Sequence, residues 1–103
     1  MTQQPDIRYN FLNGRIVKYW TPLNPNDYVI ASTTLPLKDC IRYAKRGYDD
    51  FYMGRRHQFR PVYTMMKKYG KSQIRIKLIR YAVASTEYEL KKILKETKEQ
   101  YNN

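Results

Sequence analysis

Residues 73–83, QIRIKLIRYAV, place Ile74, Ile76 and Leu78 in alternation with Arg75, Lys77 and Ile79, the period-2 pattern of a β-strand. A second such signal lies far upstream. RIVKYW sets Ile16 and Trp20 around Lys18 on one face and Val17 and Tyr19 on the other, TPLNPND supplies turn residues, and YVIAST continues as a β-branched, aromatic strand. Between hairpin and strand the period changes to that of a helix. In LPLKDCIRYAKRG, Leu37, Cys40, Ile41 and Ala44 recur at i, i+3, i+4 and i+7, with Pro36 at the start and Gly47 placed to end the helix. YDDFYMGRRHQF then reads as an aromatic, basic loop, with or without a short helical turn, and with Gly54 as a turn residue.

RPVYTMMKKYG repeats the helical grammar from Pro61 to Gly70, turning Val62, Met65, Met66 and Tyr69 inward. After the strand, Thr86 and Glu89 have capping-box spacing ahead of a Leu90, Ile93, Leu94, Thr97 stripe. The order β-β-α-α-β-α predicts an α+β fold, a three-stranded antiparallel sheet with helices on its faces. Residues 1–13 are expected as a flexible arm anchored by Tyr9 and Phe11, and 14–103 as one domain. No apolar run reaches the ~20 residues of a membrane span, so a soluble intracellular chain is expected. Cys40 is alone and reads as a small buried apolar residue, with no metal cluster around it.

Charge is concentrated. Twelve of the twenty Lys and Arg lie from Arg42 to Arg80, against only Asp49 and Asp50 there. Solubility needs a net charge of only about 2 to 8, and this chain carries +11. Such a field attracts polyanions, with counterion release as the driving term. Arg42, Lys45, Arg46, Arg55, Arg56, Arg60, Lys67, Lys68 and Lys71 are therefore the candidate phosphate contacts. Tyr43, Tyr48, Phe51, Tyr52 and Phe59 are candidates for stacking on bases. His57, the one histidine, lacks a second metal ligand at suitable spacing.

Gly14, Ile16, Lys18 and Pro22, then Ile30, Ser32-Thr33-Thr34, Pro36-Leu37, Lys68-Tyr69-Gly70 and Glu89-Leu90 with Lys92 make a pattern over residues 14–100. It resembles the GIY-YIG nuclease domain, in the same order of elements. The resemblance implies one-step cleavage of a DNA phosphodiester by a Tyr or water nucleophile, a charge-neutralising Arg and a Glu-held divalent metal. It also places the two Tyr on Val17 and Val29, the second Gly on Ala31, the Arg on Cys40, the His on Ala44 and the Glu on Leu94. None of these ionises readily or binds a hard cation.

Neighbours do not restore the set. Arg42 and Glu96 stand about 200° around their helices from Cys40 and Leu94. Tyr28 points to the opposite face from Val29, and Tyr19 is displaced about 6.5 Å from Val17 along the strand. The expectation is a catalytically inactive scaffold, without metal or cofactor, that binds nucleic acid, DNA in preference. A protein-interaction or self-assembling module and an active nuclease with displaced residues are the alternatives. The likeness to domains carried by phages and large DNA viruses implies a viral or mobile-element source.

Overall fold

A computed structural model describes residues 11–55 and 58–101. It is α+β, with strands β1 (Arg15–Trp20), β2 (Tyr28–Thr33) and β3 (Arg75–Tyr81) and helices α1 (Leu37–Tyr52), α2 (Pro61–Tyr69) and α3 (Glu87–Tyr101). The sheet runs β2-β1-β3, antiparallel throughout, so β1 is central and pairs with β3 far along the chain. This is the element order read from the sequence. None of the described helices is long and apolar enough to cross a membrane.

The sheet separates two cores, and alternation along β1 feeds both. Val17 and Tyr19, fully buried, join Cys40, Ala44, Val62, Tyr63, Met65, Met66 and Ile74 under α1 and α2. Ile16 faces the other way and joins Ile30, Ala82, Ala84 and Leu90 beneath α3. The β1–β3 ladder slips once: Val17 opposes Leu78 but Ile16 opposes Arg80, leaving Ile79 as the extra residue of a β-bulge.

Local chemistry sets the helix ends. Pro61 occupies the first turn of α2, where no amide donor is needed, and Gly70 closes the helix at φ 93, with its N–H donating to the Met66 carbonyl at 2.8 Å. On α3, Glu89 N–H donates to Thr86 Oγ1 at 3.2 Å and Glu89 Oε2 accepts from Ser85 N–H at 2.8 Å.

Two expectations are corrected. α1 does not stop at Gly47 but runs through it to Tyr52, ending at Met53 and at Gly54 with φ 76. Gly47 is buried within the helix, and the inward stripe continues through Tyr48 and Phe51, so packing outweighs the low helix propensity of Gly. Five of the twelve residues of the expected loop, 48–52, are thus helix. Phe11–Asn13, placed in the arm, form a 3₁₀ turn whose Phe11 carbonyl accepts from Gly14 and Ala84 N–H, both at 3.1 Å. Phe11 packs on the α3-side core, as its anchoring role required. The rest of the arm, Tyr9 included, lies outside the described residues, as do Arg56 and His57.

Candidate nucleic-acid interface

The positions onto which the resemblance would place nuclease chemistry do not all converge. Val17, Cys40 and Ala44 lie in one buried cluster under α1, with Val29 and Ala31 half-buried against it. Leu94 does not join them. It packs with Ile93 on the α3-side core, across the sheet. The displaced carboxylate Glu96 is exposed on α3 and Arg42 is exposed on α1, so neither restores a cleft at the Val17 position. Among the described residues, no three His, Cys, Asp or Glu side chains converge as a set able to hold a metal ion.

At the Cys40 position the buried neighbour is Tyr19, whose hydroxyl lies 2.9 Å from Cys40 Sγ. Arg60, read from the sequence as a phosphate contact, is half-buried here, with its guanidinium carbon 6.0 Å from the Tyr63 ring centroid. Burial opposes the Arg60 charge, yet Tyr19, Tyr63 and Cys40 outweigh it and hold its pKa above the ordinary arginine value. Burial pushes the Tyr19 phenol well above the usual tyrosine range; Cys40 adds to the shift and Arg60 works against it. Tyr19 is thus a neutral hydroxyl rather than a phenolate nucleophile. Its ionisation is harder in the fold than in the unfolded chain, so stability intact below about pH 10 falls as pH rises past that value. Tyr19→Phe should flatten the decline in denaturant unfolding between neutral and strongly alkaline pH. An alkaline slope identical in both proteins would contradict the role given to this phenol.

The remaining candidate cations divide into three groups. On the outer face of α1, Arg42 and Arg46 flank the exposed Tyr43 along a shallow groove, and Lys45 is half-buried. Arg42 also pairs with Asp39 at 2.9 Å. Lys68 lies over Tyr69 and reaches Asp27 at 3.9 Å, beside the β1–β2 turn. The third group surrounds the C-terminal half of α1 and the last turn of α2 that lies beside it. There Lys71 Nζ bonds both Asp49 oxygens at 2.7 and 2.8 Å, Arg55 pairs with Asp50 at 3.2 Å, and Lys67 Nζ sits 4.9 Å from the Tyr52 ring centroid. Ion pairs this exposed contribute only about 0 to 1 kcal/mol, so a phosphate can compete for the same cations.

The third group also carries the aromatic rings. Phe51 touches Tyr52, Phe59 and Tyr63, with centroids 5.1, 5.8 and 5.7 Å apart, and Tyr48 touches Tyr52 at 4.8 Å. Tyr63, fully buried, is the floor of this cluster, while Tyr52 and Phe59 remain exposed at its rim. The result is a ledge of rings edged by Arg55, Lys67 and Lys71. Rings of this kind offer a stacking face to any base, and adjacent cations track the backbone.

Three further cations of the same basic stretch, outside the candidate phosphate contacts, belong to another surface. Arg75, Lys77 and Arg80 are exposed along β3. Their alternation with apolar residues is the signal the sequence offers, and it marks a cationic strand face as well as a strand. Comparisons with protein-family models, curated proteins and solved structures return no match to this chain.

Proposed function

We propose that this chain is a GIY-YIG-like scaffold without cutting chemistry, and that it binds nucleic acid, DNA in preference, through the cationic aromatic ledge of α1 and α2. The ledge is the observation that carries the reading: exposed Tyr52 and Phe59 rings sit beside Arg55 and Lys67, the mixture of stacking faces and mobile charges that backbone-tracking proteins use. The loss of cutting is supported separately by packing. Val17 and Ala44 are fully buried, and Cys40 is closed against Tyr19, so the side chains at those positions supply neither a base to activate water nor a cation to neutralise a pentavalent phosphorus. An intracellular setting and a viral or mobile-element source belong to the same reading.

A labelled duplex incubated with the chain, with and without Mg²⁺, should remain uncut and be retarded at low ionic strength. Changing Arg55 and Lys67 to Ala should weaken binding and lower the log–log salt slope by about 2, one unit for each lost phosphate contact. Cleavage that disappears with EDTA would favour the active-nuclease alternative. A salt-independent interaction, or a pull-down of protein insensitive to nuclease treatment, would favour the interaction module.

A further inference from the structure

Strand β3 carries Arg75 and Lys77 on one face, and simple alternation would turn Arg80 to the other. The bulge at Ile79 prevents this. Arg75 opposes Trp20, Lys77 opposes Lys18 and Arg80 opposes Ile16, so all three cations share the face that β1 presents toward α3. Because the extra residue is absorbed, they recur every two rungs of the ladder, about 6.7 Å apart. α3 packs mainly on β2 and does not bury the three, each of which is exposed.

Lys18 lies directly beside Lys77, an arrangement of like charges that destabilises a sheet. Its ammonium is held between the Tyr28 and Tyr101 rings, at 4.8 and 5.0 Å from their centroids, and donates to Tyr101 Oη at 2.9 Å. None of the ion pairs among the described residues involves these four cations. The row is one strand wide and bordered by the half-buried Trp20 at one end and the part-exposed Tyr101 beside Lys18.

We propose that this open half of the sheet binds one strand of nucleic acid, with successive phosphates along Arg75, Lys77 and Arg80 and bases against Trp20 and Tyr101. An evenly spaced single row matches one backbone track, whereas a duplex presents two tracks separated by a groove. The surface is distinct from the ledge, which lies across the sheet, and rests on the nucleic-acid reading only for its class of ligand.

Trp20 is the single tryptophan of the chain, so its fluorescence reports this face directly. Titration of the full chain with oligo(dT) should quench Trp20. The R75A/K77A/R80A variant should lose that quenching, bind oligo(dT) about tenfold or more weakly, and show a salt slope lower by about 2, from roughly 0.7 per phosphate on a single strand. A K77E variant, with a single exposed change, should move in the same direction. The R55A/K67A variant should keep the quenching. If the β3 variants bind oligo(dT) as the parent does while R55A/K67A weakens duplex binding, this inference fails and the ledge stands. Binding of neither oligo(dT) nor duplex by the parent chain removes both. Quenching by polyglutamate equal to that by oligo(dT) overturns the single-strand assignment in favour of an acidic protein.

Discussion

Gly14→Ala should prevent folding or lower stability by about 3 kcal/mol or more, measured by urea unfolding followed by circular dichroism. Gly14 is buried where the chain passes from the 3₁₀ turn into β1. Its N–H donates to the Phe11 carbonyl at 3.1 Å, and its own carbonyl accepts from Ala82 N–H at 2.8 Å. A methyl group there would run into the Ala82 carbonyl oxygen, with Leu90 Cδ1 at 3.0 Å and the Phe11 oxygen at 3.1 Å. Backbone oxygens cannot yield as a side-chain end can, and the Phe11 oxygen is further fixed by accepting from Gly14 and Ala84 N–H. The requirement is for space, since the positive-φ glycines are Gly54 and Gly70. A stably folded variant with an unchanged unfolding midpoint would show that the end of β3 does not approach Gly14 this closely.

Tyr19→Ala should cost about 3 to 5 kcal/mol, the range for removing a fully buried aromatic ring whose site cannot collapse. Tyr19 is among the largest fully buried side chains and bridges β1 to α1 through Cys40. Tyr19→Phe keeps the ring and loses one hydrogen bond, about 1 kcal/mol. The pair separates packing from polarity. A second readout is the thiol: Cys40 is buried, and an aromatic disulfide reagent should label it slowly in the parent and much faster in the Ala variant. Equal labelling rates in the two proteins would mean that Tyr19 does not cover Cys40.

Much of this architecture is legible in the sequence because alternation and helical periodicity are local. β1 divides its side chains between the two faces as its pattern required, and Pro61, Gly70, Thr86 and Glu89 mark helix ends by the chemistry expected of them. Gly47 misled because a glycine signals a helix end only where the backbone must leave the helix, and here Tyr48 and Phe51 had packing to gain by continuing. The candidate surface was less legible. Asp49 and Asp50 meet Lys71 and Arg55 through folding, and no spacing rule exposes the Asp49–Lys71 pair across 22 residues. Arg60 turns toward Tyr63 and Tyr19, and Leu94 lies across the sheet from Val17. A one-residue bulge leaves no mark in a period-2 pattern, so the phase of Arg80 becomes visible only from its pairing with Ile16.

The central position of β1 has a consequence for the order in which the molecule can be made. The hairpin partner of Trp20 is Tyr28, nearby in sequence, but the partner of Arg15 on the other edge is Tyr81. During synthesis from the N-terminus, β1, β2 and α1 emerge with one edge of β1 open; the core under α1 and α2 waits for Ile74 ahead of β3, and the core beneath α3 waits for Leu90 on α3 itself. Val17 and Tyr19 on one side and Ile16 on the other are therefore the residues exposed longest in the nascent chain. The final strand to dock is also the one bearing Arg75, Lys77 and Arg80, so the cationic row comes into being together with the sheet that displays it.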